Sequence, residues 1–217
     1  YSGEIQCAAL GMDVDIFDQD GNSLKEQKGE LVCKTPFPSK PIYFWKDKNN
    51  KKYLNAYFQK YENIWHHGDY CEKTINDGYI IYGRSDATLN AGGVRIGTSE
   101  IYRVVENIDK ITECVAVEHS LYTDTEVILF VKLNSNTSLD DILIKNIKLE
   151  IRTNLSPKHI PSKIFEVSDI PKTKSGKIVE LSIKNIINGM AIENENALGN
   201  PDCLKEYQSI YYLLKGN

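Results

Sequence analysis

The sequence contains no long apolar run. None of its stretches approaches the roughly 18 apolar residues that a membrane-spanning helix needs, so membrane insertion is not expected. It also lacks an excess of positive charge. The 26 Lys and Arg are set against 30 Asp and Glu, for a formal net charge of −4. A dedicated nucleic-acid binder usually shows a basic excess, so nucleic acid is not an expected partner. The five cysteines, at 7, 33, 71, 114 and 203, are odd in number and form no Cys-x-x-Cys pair. Zinc and dithiol-redox readings lose their support, and reduced thiols of a cytoplasmic protein are expected instead. His66 and His67 do not supply a metal site. Adjacent residues on a strand point to opposite faces and cannot easily share one ligand. Nothing at the start reads as a signal peptide, and there is no internal repeat and no low-complexity tract.

The chain has 217 residues, enough for one large domain or two small ones. Its pattern changes near residue 86. Before that point it reads as β-rich. Residues 14–17 alternate and lead into the turn Asp18-Gln19-Asp20-Gly21-Asn22. Residues 29–33 are a second strand, and Asp77-Gly78 is a hairpin signal between 71–75 and 79–82. Pro36, Pro38 and Pro41 break regular structure, residues 46–52 are expected as a solvated loop, and 53–61 as a short helix. After residue 86, Thr98 is expected to cap a helix over 98–107 with Ile101, Val104, Val105 and Ile108 on one face. Apolar strands follow at 114–117, 127–131 and 164–167. Ser138-Leu139-Asp140-Asp141 resembles a capping arrangement for a helix carrying Leu143, Ile144, Ile147, Ile151 and Leu155 on one stripe, stopping near Pro157. A last helix over 179–188 ends at Gly189. Mixed strands and helices in this proportion predict an α+β fold.

Three segments carry candidate chemistry. In Gly68-Asp69, a carboxylate at a strand end can accept two hydrogen bonds from a ribose diol, or simply serve a turn. Gly83-Arg84-Ser85-Asp86 leads into Ala91-Gly92-Gly93-Val94-Arg95-Ile96-Gly97. Arg84 can hold a ribose hydroxyl or phosphate with its guanidinium fork, or make a surface ion pair. Gly92-Gly93 gives a tight hairpin turn, but the spacing is not the Gly-x-Gly-x-x-Gly of dinucleotide folds. Pro171-Lys172-Thr173-Lys174-Ser175-Gly176-Lys177 lacks the early glycine of a phosphate loop, and Ile178 stands where that loop has Ser or Thr. Taken alone, Lys177 is an exposed turn charge or an ammonium aimed at developing negative charge.

The run Gly83-Arg84-Ser85-Asp86-Ala87-Thr88-Leu89-Asn90-Ala91-Gly92-Gly93-Val94-Arg95-Ile96-Gly97-Thr98-Ser99-Glu100-Ile101-Tyr102 resembles the adenylate-forming superfamily of acyl-CoA synthetases, adenylation domains and luciferases. Within that superfamily it is most similar to the acetoacetyl-CoA synthetase family. Lys34-Thr35-Pro36-Phe37-Pro38-Ser39, Trp65-His66-His67-Gly68-Asp69 and Asn196-Ala197-Leu198-Gly199-Asn200-Pro201 support this. The resemblance covers nearly the whole chain. Because such enzymes are much longer, it implies a C-terminal fragment, consistent with a start at Tyr1 rather than Met.

The resemblance implies that residues 1–85 are the barrel-like, β-rich end of a large AMP-binding domain. Residues 86–217 would be a small mobile domain with its hinge at Asp86 and a helical tail. It implies an ATP-dependent acid–thiol ligase of lipid and ketone-body metabolism, making an acyl-adenylate and then the CoA thioester, with acetoacetate as the acid. Asp69, Arg84 and Arg95 would hold the nucleotide, Gly93 would line the CoA channel, and Lys177 would be catalytic in the adenylation step. Where most of the superfamily has Ser or Thr before the glycine, this chain has His67. ATP and CoA would be substrates, with Mg²⁺ accompanying ATP, and no metal site of the chain's own is expected. Acetylation of Lys177 by a lysine acetyltransferase, reversed by a deacetylase, is a further implication. The phosphate loop and acid pocket of the family lie upstream, so the chain alone is expected to be inactive. The alternatives are an acetyl- or propionyl-type synthetase and a non-catalytic module that binds nucleotide or a partner.

Overall fold

A computed structural model describes residues 1–121, 124–192 and 195–216, with strands and helices mixed throughout. They fall into two compact units, 1–86 and 87–217.

The first unit is built on four antiparallel strands in chain order: β1 (Val14–Phe17), β2 (Lys28–Cys33), β3 (Trp65–Lys73) and β4 (Tyr79–Arg84). The expectation of a barrel-like subdomain meets an antiparallel sheet with β1 and β4 at its ends. Local chemistry makes the turns. The Asp18 carboxylate accepts from the backbone N–H groups of Asp20 and Asn22 at 2.9 and 2.8 Å, closing the chain after β1. Asp77, at φ 59°, lets Thr74 N–H reach Gly78 O at 2.9 Å between β3 and β4. The short helix α1 (Lys51–Tyr57) starts and stops earlier than the sequence pattern suggests. The reason is Asp47, whose carboxylate accepts from the N–H groups of Lys52 and Tyr53 at 2.9 and 2.8 Å and so satisfies the first turn. Lys51 and Lys52 are therefore helical rather than part of a loop. α1 packs through aromatic rings: Tyr57 stacks on Trp65 of β3 at 3.8 Å, with Tyr53 and Phe58 edge-on or tilted nearby.

The second unit begins with a hairpin of β5 (Leu89–Ala91) and β6 (Val94–Ile96), followed by α2 (Thr98–Val105). Its centre is a sheet of β7 (Ile111–Ser120), β8 (Thr125–Leu133) and β9 (Lys163–Glu166). β7 and β8 form an antiparallel hairpin, and β9 runs parallel to β8 after the crossover helix α3 (Asp141–Asn154). α4 (Glu180–Ile187) and α5 (Leu204–Lys215) complete the unit.

Both faces of this sheet are covered. Cys114, Ala116, Leu129 and Val131 pack with Ile101 of α2 and Ile147 of α3 on one side. Val115, Val117, Ile128 and Phe130 pack with Ile183 of α4 and Tyr207 of α5 on the other. A strand buried on both faces needs apolar residues at every position, which is why the sequence reads as continuous apolar runs there. Each Ile or Leu buried in this way contributes about 1.5–3 kcal/mol relative to exposure. β7 and β8 extend beyond their apolar centres because hairpin pairing also satisfies the backbone of polar residues such as His119, opposite Glu126.

Two helix starts differ from expectation. Gly97, not Thr98, is the cap of α2. Its N–H donates to the Glu100 carboxylate at 3.0 Å, while Thr98 is a buried first-turn residue. For α3 the cap is Asp140, whose carboxylate accepts from Leu143 N–H at 2.7 Å. Ser138 lies before the cap, because Asp140 stands three residues ahead of the N–H that needs an acceptor.

Candidate functional site

In the first unit, β3 and β4 bring Asp69 and Arg84 directly opposite one another. They sit beside a cleft of about 710 Å³ whose lining includes Tyr57, Lys60, Trp65, Gly68, Arg84 and Asp86. Arg84 Nη1 lies 3.4 Å from Asp69 Oδ1 and 3.4 Å from the His67 carbonyl, and Arg84 Nε lies 3.6 Å from Asp86 Oδ1. His67 Nδ1 is 2.5 Å from Asp69 Oδ2, so this histidine buttresses the carboxylate. Burial acts to raise the pKa of Asp69, but His67 and then Arg84 outweigh it and hold the carboxyl below its ordinary value. Gly68 has φ +83°, and a Cβ there would stand 2.8 Å from Arg84 Nη2. Glycine at this position is what lets the guanidinium lie across the strand.

A second group behind this cleft was missed in the sequence. Glu30 of β2 is fully buried. Its carboxylate is 2.6 Å from Lys60 Nζ and 2.9 Å from His66 Nε2, and it accepts from Ser85 Oγ. A buried carboxylate survives when charged and hydrogen-bonding partners surround it. Its consequence here is positional, since Ser85 is the neighbour of both Arg84 and Asp86. The only sequence signal was an acidic residue in a strand whose flanking positions are apolar.

In the second unit, Gly92 and Gly93 form the hairpin turn at φ 55° and 79°. A Cβ on Gly93 would meet nothing within 4 Å, whereas one on Gly92 would lie 2.6 Å from Lys158 Nζ. Gly93 therefore leaves open space at the hairpin tip. Arg95 of β6 is half-buried, its Nε donating to the buried Thr88 hydroxyl at 2.9 Å. Lys177 closes a separate turn. Thr173 N–H donates to Lys177 O at 2.8 Å, Gly176 N–H to Thr173 O at 2.9 Å, and Gly176 sits at φ +85°. The Lys177 side chain is exposed. Asp86, the proposed hinge, is the last residue of the first unit, with its side chain 47% exposed.

No group of three or more His, Cys, Asp or Glu residues suited to a metal is found among the described residues. His66 and His67 turn to different carboxylates, Glu30 and Asp69. All five cysteines are free thiols, and burial pushes that of Cys71 up to about 12. Among the described residues no helix is long and apolar enough to cross a membrane.

Residues 100–177 match the AMP-binding enzyme C-terminal domain. The chain carries this domain. Its similarity to known proteins extends further than the domain itself. It is 47% identical to the acetoacetyl-coenzyme A synthetase of Rhizobium meliloti (strain 1021), over 94% of this chain and 31% of that protein. It is 43% identical to the acetoacetyl-CoA synthetase of Macaca fascicularis, over 97% of this chain and 32% of the relative. Among solved structures, acetoacetyl-CoA synthetase from Streptomyces lividans superposes with a TM-score of 0.90 at 38% identity, covering 97% of this chain and 32% of that one. The chain thus spans about a third of the length of the relatives it matches.

Proposed function

We propose that this chain is the nucleotide-holding and domain-turning part of an ATP- and CoA-dependent acid–thiol ligase that converts acetoacetate to acetoacetyl-CoA in the cytoplasm. The observation that carries this reading is the cross-strand meeting of Asp69 and Arg84 at the cleft. A carboxylate held ionised suits a ribose diol, and a guanidinium beside it suits a ribose oxygen or phosphate. Arg95 contributes a second guanidinium toward the adenylate phosphate. ATP enters as its magnesium complex, which is substrate rather than a resident cofactor. In the first step the acid carboxylate attacks the α-phosphorus of ATP and pyrophosphate leaves, with the Lys177 ammonium set against the developing negative charge. The unit after Asp86 then turns. The CoA sulfur attacks the acyl carbon, AMP leaves, and the open space at Gly93 admits the pantetheine arm.

Acetylation of Lys177 would remove the ammonium and slow the first step without disturbing the fold. The side chain's exposure supports access by a modifying enzyme.

The test separates the chain from the complete ligase. With ATP, acetoacetate and CoA, the chain alone is expected to release no AMP on the ordinary enzyme scale of roughly 1 to 1,000 turnovers per second. The complete ligase is expected to turn over and to prefer acetoacetate to acetate and propionate. Full-rate turnover by the chain alone would sink the proposed division of labour. Equal use of the three acids would sink the acid assignment.

A further inference from the structure

The segment Asn196-Ala197-Leu198-Gly199-Asn200-Pro201 stands out in the sequence but has no part in the chemistry proposed above. In the fold it lies along the Lys177 turn. Lys172 and Ile178 pair across that turn, and Thr173 pairs on its other side with Leu198. Lys174 N–H donates to Ala197 O at 3.2 Å, and Gly199 N–H donates to Lys172 O at 2.8 Å. A turn by itself leaves the outer backbone groups of both its arms unpaired and is marginal in water. Here Ala197, Leu198 and Gly199 of the tail segment pair with residues 172–174 along one of those edges.

Asn200 fastens the arrangement. Its Oδ1 accepts from Lys172 N–H at 2.8 Å, and its Nδ2 donates to Asp169 Oδ2 at 2.6 Å and to Ile170 O at 2.8 Å. One amide side chain thus satisfies both a donor and two acceptors on the stretch leading into the turn. No other residue type of this size offers an acceptor and two donors in that geometry. The fastening is itself anchored. Leu198 is buried in the core, Tyr207 Oη donates to Asp169 O at 3.0 Å, and the Glu206 carboxylate accepts from Ser168 N–H at 2.9 Å. On the other side Lys132 holds Asp169 at 2.7 Å, and Lys172 pairs with Glu113.

We infer that Asn200 is a positioning residue for Lys177. Through it the tail segment fixes the backbone of residues 171–177, so that the exposed ammonium departs from a rigid base. The inference rests on the proposed role of Lys177 in adenylate formation. A long, unbranched side chain samples many rotamers, and only a fixed base returns its tip to one place. Misplacement of a catalytic group by about 1 Å costs on the order of 100-fold in rate. The tail's contribution is therefore to rate in one half-reaction, beyond any contribution to folding.

The experiment compares Asn200→Ala, Asn200→Asp and Lys177→Ala in the complete ligase. Three quantities are measured: pyrophosphate release, CoA consumption from supplied acyl-adenylate, and amide exchange over residues 171–177. Asn200→Ala is expected to lower kcat for pyrophosphate release about 10- to 100-fold, with the KM for ATP little changed. CoA consumption from supplied adenylate should stay close to wild type, and the amides of Lys172, Lys174 and Gly176 should exchange faster. Asn200→Asp keeps the acceptor for Lys172 but sets a carboxylate against Asp169, so it should be no better than alanine. Asp169→Asn combined with Asn200→Asp restores a donor between the two positions and should recover part of the protection. Equal loss in both half-reactions with a lowered melting temperature would assign the tail to folding alone and overturn the inference. Unchanged exchange would also overturn it. Should Lys177→Ala leave pyrophosphate release untouched, the assignment of Lys177 is what fails. The clamp itself is then supported by faster exchange in Asn200→Ala and overturned by its absence.

Discussion

The Asp69 cleft and the Lys177 turn prepare their polar groups differently. At the Asp69 cleft every candidate group already has a protein partner. Asp69 meets His67 and Arg84, Arg84 meets Asp86 as well, and Glu30 ties Ser85 to Lys60 and His66. Around Lys177 the backbone is bound on both sides by pairing, but the ammonium is exposed and makes no ion pair among the described residues. A ligand at the first site exchanges existing bonds for new ones, so each contact there contributes modestly. A ligand at Lys177 would meet an exposed cation with no ion-pair partner among the described residues. Interactions made only in the transition state raise the rate, whereas exchangeable ground-state bonds set affinity.

If that contrast is right, the largest effect belongs to Lys177. In the complete ligase Lys177→Ala should slow adenylate formation about 100- to 1,000-fold, the scale of losing one preorganised electrostatic contact. Thioester formation from supplied adenylate should persist. Measuring pyrophosphate release and CoA consumption separately decides it, and loss of both together would erase the distinction between the two regions.

Gly93→Leu should give the reverse pattern, with CoA consumption reduced on the order of 100-fold and pyrophosphate release kept. Gly93 has φ 79°, so a bulky side chain also strains the turn. Gly93→Asn is the control, because asparagine tolerates that backbone with less bulk. If Asn and Leu impair CoA use equally, backbone geometry rather than channel space is the cause. Asp86→Pro, which fixes φ near −65°, should leave at most one half-reaction intact. Wild-type rates in both would put the hinge elsewhere.

At the paired site the effects should be smaller. Arg84→Ala should weaken ATP binding about 10-fold, the worth of one charge-assisted hydrogen bond against existing partners. Titration calorimetry with a non-hydrolysable ATP analogue would read this directly. A loss comparable to that of Lys177→Ala, appearing in kcat alone, would refute the contrast.

The smallest effect at neutral pH concerns stability. Burial acts to raise the pKa of Glu126, but its bonds to Lys163, Ser162 and His119 outweigh this and bring it from its ordinary 4.5 to about 2. A depressed carboxylate pKa contributes stability that is fully present above the unfolded value. That stability drains away as pH falls from about 4.5 toward 2. Glu126→Gln should flatten the acid limb of a denaturation curve across that window. An unchanged limb would move the sensitivity to other carboxylates.

How much of this was legible follows from the range of each interaction. The apolar runs at 114–117 and 127–131 disclosed two strands, because burial marks adjacent residues, whereas the covering of both faces of their sheet was visible only in the fold. The Asp18 and Asp77-Gly78 turns were legible for the same reason: their bonds close within four residues. Even so, the caps of α2 and α3 were misplaced by one and two residues. Gly97 has no side chain to announce it, and Asp140 and Asp141 stand side by side.

The sequence by itself determined the α+β class, the glycine turns and the spacing of Asp69, Arg84, Arg95 and Lys177, since these are set by local conformation and motif. Only the tertiary structure decided which groups meet. Glu30 lies 55 residues from Ser85, and Asn200 lies 28 residues from Lys172. Hydrogen bonds across such distances depend on strand pairing and core packing, which leave no periodic mark on the chain. The buried carboxylate behind the cleft and the asparagine beside the Lys177 turn are products of folding that spacing alone does not reveal.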